Sequence, residues 1–426
     1  LKDILIVGGG ASGILVAIHL AKQANSPIAV RIAEPSLMIG RGVAYSTNDD
    51  GHLLNVPAGR MSAFSSDPSH FTSWARCEEN DFISRHRYGR YLLETFIQSQ
   101  SENGMVSFVH ERVKILDIEK IEGQFLATSE SGPFGKFDAV VLALGNGSSN
   151  SIPVENSVVE SDKYIGDPWR DHVPNVNGQM ICIGTGLTFL DIALSHLKRS
   201  NKNTVVGISR NGELPKAHLA VRSAPLPVPQ SAKISPTSLR QYIERSKDWR
   251  AAQDGVRHEL PSIWFGWSET YKHEFWNVHL RWWNVHRHRI APEIATEVEE
   301  YQNQGRLKIV SGKPSLVKTQ SDGIGVYGKE FGWLQGDIVV NATGYLSINS
   351  NPLQQSVIVR KLANNGPLNF GFKTNFPEFE LIGENGEVTH GLYGLGPILI
   401  GERLETTAVP EIREQAELIA TALLNS

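Results

Sequence analysis

Ile4-Leu5-Ile6-Val7-Gly8-Gly9-Gly10-Ala11-Ser12-Gly13 is the stretch that decides the fold. Four apolar residues run into G-x-G-x-x-G, and an apolar, helix-like segment, Ile14 to Ala21, follows at once. A strand that ends in this turn and opens a helix is the context in which three spaced glycines signal dinucleotide binding. Gly8 permits the tight turn, Gly10 lets backbone approach a pyrophosphate, and Gly13 lets helix pack on strand. The helix then aims its unpaired N–H groups and partial positive charge at the phosphates. A second short strand, Ile28 to Ile32, leads to Glu34, about 20 residues beyond the last glycine. A carboxylate there accepts both ribose hydroxyls and repels a 2′-phosphate, so this adenosine site suits FAD or NAD.

The chain has 426 residues, enough for two or three domains. A net charge of −4 and the lack of basic runs give no reason to expect nucleic acid or anionic lipid as a partner. The two cysteines, Cys77 and Cys182, lie far apart and offer no disulfide framework. That usage fits a reducing compartment, and the cytoplasm is the expected setting. Glycines interrupt the apolar N-terminal stretch, which lacks a basic leader. No apolar run approaches the length of a membrane span, about 18–20 residues. Oligomeric state is not legible from the sequence.

Gly40 to Ser66 reads as a long loop, apolar enough to be partly buried, and long ordered loops are usually functional. Pro68–Ala75 and Tyr88–Gln100 read as helices, with Arg85-His86-Arg87 and Arg90 as a solvated basic loop between them. Strands are expected at Val106–His110 and Val113–Glu119. A buried strand from Phe137 then ends at Gly145-Asn146, as a parallel strand returning beside the first would. Residues 147–178, rich in Asn, Ser, Pro and Gly, look like a linker at a domain boundary.

The opening pattern then recurs. Met180-Ile181-Cys182-Ile183-Gly184-Thr185-Gly186-Leu187-Thr188-Phe189 is again strand, glycine turn and helix, with Phe189 where a third glycine would stand. The next strand, Thr204–Ile208, ends in Ser209-Arg210 rather than an acid. A guanidinium there pairs bidentately with a 2′-phosphate, which favours NADPH over NADH.

Residues 215–304 interrupt this second unit. Ser235-Pro236 resembles an N-cap and first turn of a helix reaching about Arg250. A Trp- and His-rich stretch follows, in which Phe275, His279, Trp282, His286 and Arg289 share one face of a continuous helix. A packed aromatic core and a substrate cleft are both compatible with that face. In the second case His288 or Arg289 would meet an anionic group. No metal site is expected, because His286 and His288 diverge on a helix and no cysteine accompanies them. Regular structure resumes at Leu307–Val310. Asp337–Asn341 leads to Ala342-Thr343-Gly344-Tyr345, Gly391–Pro397 forms a strand and turn, and Thr406–Glu411 opens a last helix to Leu424.

Two such fingerprints, each followed by a strand ending A-x-G, resemble the two-dinucleotide-binding-domain flavoproteins. Gly40–Tyr45, Leu53–Phe64, Gly184–Asp191, Ser209–Gly212, His286–Pro292, Ala342–Tyr345 and Thr406–Arg413 are similar to a bacterial FAD/NAD(P)-binding group related to class B flavin monooxygenases, including N-hydroxylating enzymes that carry A-T-G-Y. The resemblance implies an α/β fold of two Rossmann-like domains with parallel sheets and a helical insert in the second. It divides the chain into 1–150 and 336–426 for FAD, and 151–335 for NADPH with the insert at about 215–304. FAD would lie on Gly8, Gly10, Ala11, Ser12, Gly13 and Glu34, with further contacts from Val113, Gly145, Gly344, Gly396, Thr406 and Thr407. Arg41, Asn55 and Met61 would lie near its ring. NADPH would lie on Gly184, Gly186, Leu187, Thr188, Ser209 and Arg210. Asn55, Met61, His288 and Arg289 are the expected catalytic residues.

Two departures from the superfamily stand out. Tyr164–Trp169 keeps little of the Baeyer–Villiger F-x-G-x-x-x-H-x-x-x-W pattern, and the Gly-Asp common near the flavin ribityl chain is missing after Leu395-Gly396. The implied reaction uses NADPH and molecular oxygen, forms a flavin C4a-hydroperoxide and oxygenates a small molecule, N-hydroxylation of an amine included. A flavin reductase or dehydrogenase without oxygen insertion, and a flavin-binding redox sensor, are the alternatives. Two cysteines so far apart exclude a dithiol relay.

Overall fold

The computed structural model describes residues 1–159, 161–219, 221, 223–321, 323–345 and 351–426. Its two halves repeat one plan. In the first, β1 (Lys2–Val7), the helix Ala11–Gln23 and β2 (Ile28–Ala33) follow directly from the opening motif. β3 (Val106–Glu111) comes next, then an antiparallel meander of β4 (Ile115–Ile121), β5 (Gln124–Ser129) and β6 (Gly132–Phe137), then β7 (Ala139–Leu142). In the second half, β8 (Tyr164–Ile165) precedes β9 (Gln179–Ile183), the helix Leu187–Arg199 and β10 (Thr204–Ser209). β11 (Leu307–Ser311), a meander of β12 (Pro314–Gln320), β13 (Gly323–Gly328) and β14 (Gly332–Gly336), and β15 (Ile338–Asn341) complete it. The chain then returns through β16 (Glu380–Ile382), β17 (Val388–Gly394) and the helix Val409–Asn425.

Sheet order gives the domains their membership. The first sheet runs β16-β17-β7-β1-β2-β3 and the second β11-β10-β9-β15-β8. All of their pairings are parallel except β16 with β17. β1, β7 and β15 are buried along nearly their whole length, as central parallel strands covered on both faces must be. The first domain is therefore discontinuous, and the helix Val409–Asn425 packs on the helix Ala11–Gln23. Two expected boundaries move. β15 pairs with β9, so the second domain runs beyond 335 and keeps Ala342-Thr343-Gly344. β8 pairs with β15, so part of the expected linker 147–178 is an edge strand.

Phe189 explains why the second motif does without its third glycine. Its ring is fully buried, and a Cβ placed on Gly207 of β10 would lie 2.7 Å from it. In the first motif the space is made on the helix, where any side chain on Gly13 would collide with the Gly8 carbonyl. In the second it is made on the neighbouring strand.

The basic cluster opens a helix rather than forming a loop, and it is solvated only in part, with Arg87 and Arg90 exposed. Arg85 opens the helix Arg85–Glu102, capped by the Ser84 hydroxyl, and pairs with Asp191 of the second domain at 3.0 Å. Arg87 donates to the Ala75 carbonyl at 2.8 Å. Both cations sit where backbone and carboxylate partners satisfy them, which a charge count along the chain does not reveal.

The insert between β10 and β11 contains the helices Pro236–Arg245, Trp249–Gly266, Glu269–Glu274, Leu280–Arg287 and Pro292–Asn303. Ser235 caps the first of these, as expected, although it ends at Arg245 rather than Arg250. The single face expected from Phe275 to Arg289 does not exist. A π-helical turn at Phe275–His279 shifts the phase, and Arg289 lies past the helix end. Phe275 instead joins Trp264, Trp267 and Trp283 in a buried aromatic core.

The insert docks on the returning segment of the first domain. The Trp264 indole donates to the Gly401 carbonyl at 3.0 Å, and that of Trp283 donates to Glu405 at 3.1 Å. Arg287 forks onto both Glu405 oxygens, with its Nε at 2.7 Å from each. Arg257 reaches Glu411 at 2.7 Å and Glu405 at 3.7 Å. Burial alone would raise the pKa of Glu405, but the two guanidiniums outweigh it and lower the pKa.

Two outcomes follow from this packing. Phe189→Ala leaves a cavity under β10 and should lower unfolding stability by about 3–5 kcal/mol in urea titrations. Glu405→Leu strands the buried Arg287, while Arg257 keeps Glu411, and should cost about 3–5 kcal/mol. A carboxyl whose folded pKa is depressed stabilises above its unfolded pKa, and that stability is lost as pH falls through the folded value. The wild type should therefore weaken below about pH 4 through this group, and the Leu variant should lack that part of the acid response.

Candidate functional site

Both glycine turns lie at the carboxyl ends of parallel strands, the place where open α/β sheets bind ligands. Gly8 has φ +102° and Gly184 has φ +105°, values that a side chain resists. A Cβ on Gly8 would strike the Ala143 carbonyl after β7, and one on Gly184 would strike the Ala342 carbonyl after β15. Each turn thus wedges against the strand beside it. The helices Ala11–Gln23 and Leu187–Arg199 start at Gly10 and Gly186 with no side-chain cap, so their first N–H groups point outward unpaired. Open space surrounds Gly186, where no atom lies within 4 Å of an added Cβ.

At the first turn Glu34 stands over the glycines. Its carboxylate accepts from the Gly9 N–H and the Ser36 N–H, both at 3.0 Å. The Gly40 N–H donates to the Gly9 carbonyl at 2.8 Å, which lays the Arg41–Gly42 segment on the turn. The Nε of Arg41 is buried there without a partner. From the other side Gly396, which follows β17, comes up against Ser12, and a Cβ on it would lie 3.1 Å from the Ser12 hydroxyl. Gly396 is fixed by Gln415 of the last helix and by Thr406 just before it. Its N–H donates to Gln415 at 2.8 Å, its carbonyl accepts from Thr406 at 3.0 Å, and Gln415 donates to Thr406 at 2.9 Å. Gln415 carries no sequence signal of its own, because a buried glutamine in an apolar helix looks like any surface polar residue. Thr406 is fully buried and Thr407 is exposed beside it. Gly145 follows β7, and Val113, just past β3, packs on the same core.

The second turn gathers Gly184, Gly186, Leu187, Thr188, Ser209, Arg210 and Gly344. The Thr185 hydroxyl contacts the Ser209 hydroxyl at 2.8 Å and the Glu213 carbonyl at 2.6 Å, tying the turn to the end of β10. Arg210 is exposed. Burial and the neighbouring Arg210 together lower the pKa of Arg281, from the helix Leu280–Arg287, against the opposing pull of Glu213. Arg281 belongs to the insert, far from the fingerprint in sequence.

The expected catalytic residues divide. The Asn55 carbonyl accepts from His218 of the insert at 3.0 Å, and the His218 N–H donates to the Ile290 carbonyl at 2.9 Å. Asn55 therefore lies at the seam between loop and insert, one residue from Arg289 in this chain of contacts. Met61 is buried in the first-domain core. Arg289 is buried and its charge is already balanced by Asp254, as a desolvated cation requires, while its Nε has no hydrogen-bond partner among the described residues. His288 lies against Arg287, and burial followed by Arg287 and Arg257 drives its pKa well down. Both effects favour the neutral imidazole over a cationic anchor.

The cysteines are chemically quiet. Cys182 is fully buried in β9, and burial raises its pKa far above the usual thiol value. Cys77 is raised by burial and by Asp81 and Glu78, the reverse of what activates a thiolate. Among the described residues no group of three or more His, Cys, Asp or Glu could hold a metal, and no helix is long and apolar enough to cross a membrane.

Residues 5–147 match the model of a family described as FAD-NAD(P)-binding. A search of curated proteins by sequence finds no match. In structure the chain is similar to the ornithine N-hydroxylase of Kutzneria sp. 744, described with reduced FAD, NADP+ and L-ornithine, at a TM-score of 0.65 and 15% identity over 99% of this chain and 98% of that one. The ornithine hydroxylase of Pseudomonas aeruginosa gives 0.66 and 13% over 100% and 99%. The bacillithiol disulfide reductase of Staphylococcus aureus gives 0.61 and 14% over 100% and 99%. From end to end, the chain has the fold of the two-dinucleotide-binding-domain flavoproteins.

Proposed function

We propose that the protein is an FAD- and NADPH-dependent monooxygenase that oxygenates a small molecule, with an amine nitrogen as the acceptor. The pairing of two uncapped dinucleotide turns with two quiet thiols carries this reading. A disulfide reductase of the same fold needs a reactive thiol beside its flavin, and Cys182 and Cys77 both sit where the thiolate is disfavoured. The similarity to amine-hydroxylating enzymes over the full chain supports the same choice.

The first turn fits FAD. The uncapped helix start would hold the diphosphate, Glu34 would accept from the ribose, and the Arg41 Nε, which has no hydrogen-bond partner among the described residues, would supply a further donor. Bound FAD would accept hydride and activate oxygen, chemistry that belongs to the cofactor. The protein's own part is to bind and exclude. Gln415 and Thr406 hold Gly396 against the first turn, and the last helix offers its uncapped N-terminus as a site for negative charge. The insert, fastened through Glu405, covers that end and keeps water out. Arg210 and Arg281 would receive the 2′-phosphate of NADPH on the second turn.

Two measurements test this. FAD-loaded protein mixed anaerobically with NADPH should lose its oxidised-flavin absorbance. With oxygen and the right amine, one oxygenated product should form per NADPH consumed. Stoichiometric hydrogen peroxide with every amine and sulfide tried would instead indicate a reductase. Arg210→Gln should raise KM for NADPH by about 10- to 100-fold, the value of a charge-assisted contact, and leave KM for NADH nearly unchanged.

A further inference from the structure

Between the two nucleotide turns stands a residue that neither fingerprint contains. Trp169 follows β8 in a tight bend held by Asp167, whose carboxylate accepts from the Trp169 N–H at 3.2 Å and from the Tyr345 hydroxyl at 2.6 Å. Its indole N–H donates to the Thr188 hydroxyl at 3.2 Å. Thr188 is the second residue of the helix that starts at Gly186, so its hydroxyl lies beside the unpaired N–H groups of that helix. It occupies the position that Ser12 holds in the first turn.

We infer that Trp169 is a positioning residue of the second dinucleotide turn, acting through the Thr188 hydroxyl. A hydroxyl has one hydrogen to donate and two lone pairs with which to accept. With the indole N–H on a lone pair, the hydroxyl hydrogen is free to turn outward, toward a phosphate oxygen at the helix N-terminus. An indole can only donate, so it cannot compete for that hydrogen. Without it, nothing fixes which way the hydroxyl turns, and its hydrogen is no longer held for the phosphate.

The indole is itself placed by the first domain. His52 meets it edge-on at 5.5 Å between ring centroids, and the Arg85 guanidinium lies over it at 5.6 Å. Both residues are anchored to the helix that carries Thr188. Arg85 pairs with Asp191, and His52 contacts Ser195 at 2.9 Å while Ser195 donates to Asp49. The side chains of Arg85 and Asp191 are only 13% and 12% exposed, so this contact holds the two domains in one arrangement. The donor geometry of the second turn thus depends on a surface belonging to the first domain. Nucleotide affinity is thereby tied to domain orientation.

The inference rests on the second turn being an NADPH site, and the test separates the two claims. The Kd of NADP+ for FAD-loaded protein is measured by calorimetry for the wild type, Trp169→Phe, Thr188→Val, the double variant and Thr188→Ser. Phenylalanine keeps the ring that His52 and Arg85 touch and removes only the donor. Trp169→Phe should weaken binding roughly three- to ten-fold, the value of one hydrogen bond. Thr188→Val should weaken it at least as much, the double variant should be no worse than Thr188→Val, and Thr188→Ser should bind like the wild type. Trp169→Phe should raise KM for NADPH while the rate at saturation stays within about two-fold. Unchanged binding in Trp169→Phe overturns the inference, and so do losses that multiply in the double variant, because they would show that the two residues act independently. A wild type that binds no NADP+ overturns the reading of the turn, and the inference with it.

Discussion

Glu405 is the contact on which the arrangement of this molecule depends. It is a carboxylate with almost no exposure, bonded to one indole and one guanidinium of the insert and close to a second guanidinium. Removing a charge from water is costly unless partners replace the lost hydration, and here every partner comes from a segment more than a hundred residues away. The next residue, Thr406, helps to fix Gly396 against the first glycine turn. One short segment therefore joins the insert, the last helix and the first nucleotide turn. Seating of the insert and shaping of the site are the same event.

Much of the fold was legible because it follows from local rules. β1, its glycine turn and its helix form where the spacing places them, as do β9, β10, β15, β17 and the last helix. Sheet membership was harder, because it is a property of pairs. Ile338–Asn341 reads as a buried strand in any case, but only pairing with β9 assigns it to the second domain. The two-residue β8 has too little sequence to signal a strand at all. The π-helical turn at Phe275–His279 leaves no mark on a helical wheel, and it is what dissolves the expected face.

The site shows the same division. Glycines and Glu34 carry strong signals because geometry forces their identity. Gln415, Arg281 and Trp169 meet their partners on other elements, and nothing in their own stretch of sequence shows which partner that is. Arg85 and Arg289 show the converse error. An arginine beside other charges looks solvated or ready for a ligand, yet both are occupied by carboxylates from other elements. Charge can be counted along a sequence, but partnership cannot.

The interleaving of the two domains has a bearing on how the chain is made. The second sheet is built from residues 164–341 and lies wholly within the chain. The first sheet takes β1, β2, β3 and β7 from before that span and β16 and β17 from after it, so it stays incomplete until the second domain has been made. Until then the edge of β7 that β17 covers, and the part of the helix Ala11–Gln23 on which the helix Val409–Asn425 packs, stay exposed. The earlier-completed second domain stands ready as the surface on which the first one closes.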